Sequence, residues 1–87
     1  MKKELSFPEA LAAINKGARM SRFLKELLTP DELRNVMLRW RLMQMLNAGH
    51  TQRAIARRLK ISLCKITRGS RILKNRRSVT AGIIGSH

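Results

Sequence analysis

A block of uncompensated positive charge fills the second half of this 87-residue sequence. From Asn35 to His87 there are twelve Lys or Arg residues and no Asp or Glu, whereas all five acidic residues lie within the first 32 positions. Cationic groups at this density repel one another unless a polyanion neutralises them. The sequence therefore predicts a polyanionic partner. Duplex DNA or RNA is the usual one, through phosphate contacts that release counterions, and an anionic membrane surface is the alternative.

Residue types that support catalysis or metal binding are sparse. Cys64 is the single cysteine, so an internal disulfide and a cysteine-based zinc site are excluded. No base or acid lies near Cys64 in the sequence to activate its thiol, and we interpret it as a surface or groove-facing residue. His50 has no partners at metal-ligand spacing, and we find no paired carboxylates and no glycine-rich phosphate loop. We therefore predict that the protein is not an enzyme and binds no metal.

Two short helices joined by a tight turn are predicted in the middle of the basic block. Thr51 and Ser62 are residues that commonly cap a helix N-terminus. They predict helices over Gln52–Leu59 and about Leu63–Asn75. Two helices that cross steeply over a short turn need small or branched apolar side chains at set offsets. The residues that meet this requirement are Ile55, Ala56, Leu59, Ile61 and Ile66.

This pattern predicts a helix-turn-helix over Thr51–Lys74, and an ordinary helical hairpin with a basic solvated face is the alternative. Lys60 occupies a turn position that often holds glycine in the left-handed backbone conformation. A residue with a side chain adopts that conformation at a cost of roughly 1–2 kcal/mol. We expect Lys60 to adopt it and to contact a phosphate.

The start of the second helix of this motif is predicted to enter the major groove of duplex DNA. Lys65 is placed to donate to guanine and Leu63 to contact a thymine methyl. Arginines on the first helix would mainly bind phosphates, which sets the register of the protein on DNA. The predicted DNA-contacting residues are Gln52, Arg53, Arg57, Arg58, Lys60, Ser62, Leu63, Cys64, Lys65, Thr67, Arg68 and Arg71.

The segments before this motif are also predicted to be helical. Ser6 caps a first helix that ends near Gly17, and a second helix covers about Met20–Leu28. Thr29 caps a long third helix over about Pro30–Ala48, in which proline occupies the first position and two acids lie in the first turn. The fold class is therefore all-α, with about five helices.

The predicted organisation is a single domain over residues 1–77 followed by a flexible tail over 78–87. Residues 6–48 would supply the dimerisation helices and residues 51–75 the helix-turn-helix. The third helix is apolar on more than one side and needs more than one neighbour. Because so short a chain buries little surface alone, we expect a homodimer with a shared core. We expect Trp40, Met37, Met43 and Met45 to be core residues.

The sequence contains no apolar run long enough to cross a membrane, and Glu4, Pro8 and Glu9 interrupt any apolar core of an export signal. We therefore expect a cytoplasmic protein associated with the nucleoid.

Several strings of the sequence together resemble the tryptophan operon repressor family. They are Leu28-Thr29-Pro30-Asp31-Glu32, Arg39, Thr51-Gln52-Arg53, and Ile66-Thr67-Arg68-Gly69-Ser70 with Leu73-Lys74. The resemblance covers about Leu24–Lys74. It implies an intertwined all-α homodimer with two DNA-reading heads, which represses transcription with L-tryptophan as corepressor.

The resemblance also implies a site for tryptophan. Arg39 and Arg68 would sandwich the indole ring, Arg68 would help to hold the carboxylate, and Gly69 would leave room for the ring. Leu28 and Thr29 of the partner subunit would bind the ammonium group.

This sequence departs from the family pattern in four places. A serine that assists the ammonium is replaced by Ile72, and a threonine close to the ligand is replaced by Lys65. The turn before Thr51 is one residue shorter, and no counterpart of the family's C-terminal helix is evident after Arg77.

Two alternatives remain open from the sequence. One is a helix-turn-helix regulator that is independent of tryptophan. The other is a basic protein that binds RNA or other nucleic acid without specificity, or a membrane surface. The interleaved apolar core of the helix-turn-helix argues against the second alternative, because a simple basic amphipathic helix does not need it.

Overall fold

Helices account for all the regular secondary structure of residues 4–85, the part of the chain described by a computed structural model. The six helices are α1 (Phe7–Ala12), α2 (Gly17–Leu27), α3 (Pro30–Asn47), α4 (Gln52–Leu59), α5 (Leu63–Lys74) and α6 (Val79–Gly85). The prediction of an all-α fold is confirmed, with one helix more than expected. The chain divides within α3 into two compact units, Met1–Arg34 and Asn35–His87.

In the first unit, α1 begins as predicted. The Ser6 hydroxyl accepts a hydrogen bond from the backbone N–H of Glu9 at 3.2 Å, and a proline lies in the first turn. The rings of Phe7 and Phe23 stack with their centroids 6.3 Å apart, which links α1 to α2. The prediction that Gly17 ends α1 is wrong. Gly17 begins α2 instead, because α1 closes at Ala13 in a right-handed conformation and needs no glycine cap.

The start of α3 is held by a reciprocal capping box. The backbone N–H of Thr29 donates to Glu32 Oε1 at 2.8 Å, and the backbone N–H of Glu32 donates to Thr29 Oγ1 at 3.2 Å. Two backbone donors at the helix start are satisfied in this way. The hydrogen bonds from the Thr29 backbone and then from its side chain lower the pKa of Glu32, because they stabilise the carboxylate.

The second unit is built around a small apolar core that the end of α3, α4 and α5 share. Ile55 and Ile66 are fully buried, and Leu42 and Met45 of α3 pack against them. Around these four side chains lie Leu46, Ala56, Leu59 and Ile61. All five residues predicted to form the inside of the helix-turn-helix belong to this core, so that prediction is confirmed.

Part of α3 faces away from this core. Trp40 is 39% exposed and Met37 is 47% exposed, whereas Met45 is buried and Met43 half-buried. The expectation that Trp40 and Met37 belong to the core is therefore wrong for the single chain. Leu42 and Met45 close the core of the second unit, and the side of α3 that carries Val36, Met37 and Trp40 is left uncovered.

A sixth helix follows α5, where a loose tail was expected. The Ser78 hydroxyl accepts a hydrogen bond from the backbone N–H of Ala81 at 3.0 Å, and Ile84 is buried. The expectation that no helix follows Arg77 is therefore wrong, because α6 covers Val79–Gly85. Glycine and serine are frequent in this segment, and their frequency concealed the cap and the apolar residues four or five positions apart. Residues 86 and 87 lie outside the described residues.

The core predicts a large stability difference between two substitutions. Ile55→Ala removes apolar groups from a fully buried position and leaves a cavity, so we expect the free energy of unfolding to fall by about 2–5 kcal/mol. Val79→Ala is the control, since Val79 is 75% exposed, and we expect a change within about 0.5 kcal/mol. Urea denaturation followed by circular dichroism measures both. Equal losses would contradict the assignment of the core.

Candidate nucleic-acid interface

The helix-turn-helix begins with a capped helix. The Thr51 hydroxyl accepts a hydrogen bond from the backbone N–H of Ala54 at 3.1 Å, and α4 covers Gln52–Leu59 as predicted. Lys60 ends the helix with φ 55° and ψ 46°, which is the left-handed conformation. Lys60 is the one non-glycine residue with a positive φ between residues 4 and 85. The prediction of a left-handed lysine in the turn is therefore confirmed.

The second helix of the motif is capped in the same way. The Ser62 hydroxyl accepts a hydrogen bond from the backbone N–H of Lys65 at 3.4 Å. α5 then runs over Leu63–Lys74 and ends one residue earlier than predicted, because Asn75 adopts an extended conformation. Three residues, Lys60–Ser62, thus separate α4 from α5. So short a connection fixes the direction in which the first turn of α5 points.

The residues predicted to contact DNA form an exposed surface on this motif. Leu63, the first residue of α5, is 54% exposed although it is apolar, and the free Cys64 beside it is also exposed. Thr67 is half-buried. The other exposed members of the predicted set are Gln52, Arg53, Arg57, Arg58, Lys60, Ser62, Lys65, Arg68 and Arg71.

The cations of this surface are not neutralised within the described part of the chain. The ion pair found among residues 4–85 joins Arg34 to Asp31 at 3.0 Å, and both belong to the first unit. The arginines of α4 and the cations of α5 therefore have no acidic partner there. Their charge is available to a polyanion.

A cavity of about 480 Å³ lies between α3 and α5. Ligand sites commonly have volumes of roughly 300–1,000 Å³. Its lining residues are Arg39, Leu42 and Met43 from α3, and Lys65, Arg68, Gly69 and Ile72 from α5. Lys65 and Arg68 thus belong both to the predicted DNA surface and to the wall of this cavity.

Gly69 sets how closely α5 approaches α3. It is buried, and a Cβ atom there would lie 3.2 Å from Leu46 Cδ1 and 3.4 Å from both Leu42 Cδ2 and Met43 Sδ. The 3.2 Å distance is tighter than nine in ten contacts of real Cβ atoms, so an alanine would require the Leu46 side chain to move by a few tenths of an ångström, whereas the two distances of 3.4 Å are close to ordinary van der Waals contact. The resemblance gave Gly69 the role of leaving room for a ring. In the structure, Gly69 packs closely against side chains of α3.

The predicted ligand residues divide between the two units. Arg39, Arg68 and Gly69 line one cavity, whereas Leu28 and Thr29 lie in the first unit, where the Thr29 hydroxyl takes part in the capping box. Leu42 and Met43 also line the cavity but were not predicted as ligand residues. Their signal is helical spacing, because they follow Arg39 by three and four positions.

Two further classes of site are not found in the described residues. No helix within residues 4–85 is both long and apolar enough to cross a membrane. The same residues contain no group of three or more His, Cys, Asp or Glu side chains that could hold a metal ion.

Comparison with known proteins identifies a family and a relative that each match most of the chain. The family described as Trp repressor protein matches residues 3–84. A Trp operon repressor homolog from Actinobacillus succinogenes is 41% identical over 70 residues, which cover 79% of this chain and 69% of that protein. No solved structure matches the chain.

The left-handed turn predicts that replacing lysine by glycine changes the free energy of unfolding in opposite directions at positions 60 and 65. Lys60→Gly removes the steric cost that a side chain has in the left-handed conformation, so we expect the free energy of unfolding to rise by about 1 kcal/mol. Lys65→Gly is the matched control within α5, where glycine lowers the free energy of unfolding by about 1 kcal/mol. Urea denaturation of the two variants tests this. A loss of stability in Lys60→Gly would show that the turn has another conformation.

Proposed function

We propose a function from an established premise, which is that the chain belongs to the Trp repressor family. That family consists of repressor-type regulators of transcription and not of enzymes. We propose that this protein is a repressor that binds a specific operator in duplex DNA and blocks transcription by occupying it. The observation that carries the proposal is the capped helix-turn-helix, with its left-handed turn and unpaired cations.

Each part of the motif has a role in this proposal. The first turn of α5 enters the major groove, where Lys65 donates to guanine and the exposed Leu63 contacts a thymine methyl. Arg53 and Arg57 of α4, together with Lys60 in the turn, bind phosphates. The phosphate contacts set position and supply salt-dependent affinity, whereas the contacts of α5 select the sequence.

The proposed form of the repressor is a homodimer. The exposed apolar side chains Val36, Met37 and Trp40 of α3 support it, because a second copy would remove them from water. A two-fold dimer would present two copies of α5 to a near-palindromic operator, with half-sites about one helical turn apart. Such a protein would act on the nucleoid in the cytoplasm.

We propose L-tryptophan as the first candidate for the ligand of the cavity between α3 and α5. Planar guanidinium groups stack on aromatic faces, and Arg39 and Arg68 lie on its two walls. Leu28 and Thr29 of the partner subunit would approach the ammonium group in the dimer. The second candidate function is a repressor that does not respond to tryptophan. The half-buried Ile72 favours this function, because it offers no hydroxyl to the cavity.

The proposed DNA contacts predict that some substitutions change the preferred DNA sequence and that others weaken binding to every sequence. A library selection should recover one near-palindromic sequence, and Lys65→Ala should change the selected bases. Arg57→Ala should weaken binding to all sequences alike, because it removes a phosphate contact. An unchanged selection with Lys65→Ala would contradict the placement of α5. Equal loss of binding to all nucleic acids at about 0.2 M salt would favour a non-specific RNA- or DNA-binding protein.

The proposed ligand contacts predict that Arg39 and Arg41, two exposed arginines of α3, differ in their effect on the binding of L-tryptophan. Calorimetry with L-tryptophan should give measurable heat, and Arg39→Ala should weaken binding about tenfold because it removes one stacking partner. Arg41→Ala is the matched control, since Arg41 is exposed on the same helix and does not line the cavity. No heat with the wild-type chain would leave the tryptophan-independent repressor. Equal effects of the two variants would show that the stacking residue is misassigned.

A further inference from the structure

Cations continue along α5 beyond the residues that are proposed to contact the operator. Lys74 is the last residue of the helix, and Arg76 and Arg77 follow in the turn that leads to α6. These three residues form the distal cluster, and all three side chains are exposed. No Asp or Glu occurs from position 35 to position 87, so the second unit contains no acidic side chain that could neutralise the cluster.

The turn that carries the distal cluster has a defined conformation. The backbone N–H of Arg77 donates to Asn75 Oδ1 at 2.9 Å, and the backbone N–H of Ser78 donates to the Asn75 carbonyl at 3.1 Å. The Ser78 hydroxyl then caps α6. Arg76 and Arg77 are therefore attached to a backbone that hydrogen bonds hold on both sides, so less conformational entropy is lost when their side chains bind an anion.

The macrodipole of α5 accounts for one member of this cluster only. A cation in the last turn of a helix is stabilised by the partial negative charge of the C-terminal carbonyl groups. Lys74 lies in that turn. Arg76 and Arg77 lie beyond it, after Asn75 has left the helical conformation, and neither has an ion pair within residues 4–85. Their charge is available to an external anion.

The proposed base contacts of α5 require the end of this helix, and not one of its sides, to face the operator. Consecutive residues of an α-helix are separated by about 100° around its axis. Leu63 and Lys65 are thus about 200° apart, and both can reach base edges only if the first turn of α5 points into the groove. The opposite end of α5 then points away from that duplex.

The length of α5 separates the distal cluster from the operator. At a rise of about 1.5 Å per residue, the backbone of Lys74 lies about 16 Å along the helix axis from that of Leu63. The major groove is only about 8.5 Å deep. Lys74 is therefore outside the groove that α5 enters, and Arg76 and Arg77 follow it on the side away from the operator.

The chemistry of the distal cluster suits the phosphate backbone of duplex DNA. Phosphate contacts need cations and no particular base sequence. Recognition of single-stranded RNA uses aromatic side chains on which bases stack, and residues 69–85 include no Phe, Trp or Tyr. When the operator lies in long DNA, other segments of that DNA are held at high local concentration near the bound protein.

We propose that the distal cluster binds the phosphates of a second segment of duplex DNA, so that the protein joins its operator to another duplex or to a distant part of the same DNA. The inference rests on the proposed function, because the direction of α5 follows from the proposed base contacts. It adds a second nucleic-acid surface, without sequence preference, to the surface that reads the operator.

A capture experiment on the full chain tests this second surface. An operator duplex obtained by the library selection is immobilised and saturated with protein, and a labelled duplex of unrelated sequence is then added. Wild-type protein should retain the labelled duplex. Arg76→Gln/Arg77→Gln should retain it about tenfold more weakly at low salt, while the affinity for the operator stays within about twofold of wild type, because the operator lies more than a Debye length away.

Lys16→Gln/Lys25→Gln is the matched control, because it removes the same number of charges from exposed residues of the first unit. This control should retain the labelled duplex as well as the wild type does. Equal losses in the two double variants would show that net charge, and not the distal cluster, holds the second duplex, and would overturn the proposal. Circular dichroism reports whether each variant is folded.

Three other results would also overturn the proposal. The first is failure of the operator-bound wild type to retain the labelled duplex. The second is a loss of operator affinity in Arg76→Gln/Arg77→Gln that occurs only when the operator carries flanking DNA, since the cluster would then contact the flanks of the same duplex. The third is tighter retention of single-stranded RNA, or of vesicles that contain phosphatidylserine, than of duplex DNA.

The capture experiment separates this inference from the proposed function. If an operator is selected and bound but no second duplex is retained, the inference is overturned and the repressor function stands. If the selection yields no preferred sequence, while two unrelated duplexes are still joined in a manner that depends on Arg76 and Arg77, the second surface stands and the repressor function is overturned.

Discussion

The close approach of α5 to α3 at Gly69 is the contact on which both candidate sites of this protein depend. A Cβ atom at this position would lie 3.2 Å from Leu46 Cδ1, so the two helices pack closely at this point, beside the cavity between them. Ile66, three positions earlier on α5, is fully buried against the same core. The inner face of α5 is thereby fixed, and its exposed face, with Leu63 and the cations, is directed outward as a consequence.

α5 therefore contributes residues both to the cavity and to the predicted DNA surface. Lys65 and Arg68 lie on the wall of the cavity and also within the predicted DNA surface. If a ligand bridges α3 and α5, it stabilises one orientation of α5. By linkage it tightens DNA binding to the extent that DNA requires that same orientation.

Local signals made the helix-turn-helix predictable. Thr51 and Ser62 cap their helices through hydrogen bonds within three residues, and the left-handed Lys60 follows from the short turn between them. α6 was missed because its composition resembles that of a loop. The exposure of Trp40 and the full lining of the cavity could not be predicted from the sequence, because they depend on which faces of distant helices meet.

Methylation interference on the selected duplex tests whether the first turn of α5 contacts bases in the major groove. Dimethyl sulfate methylates guanine N7 in the major groove and adenine N3 in the minor groove. Each atom is a hydrogen-bond acceptor for side chains in its own groove. We expect N7 methylation within each half-site to prevent binding and N3 methylation there to have little effect. Interference confined to adenine N3, or none at any guanine of the half-sites, would contradict this expectation.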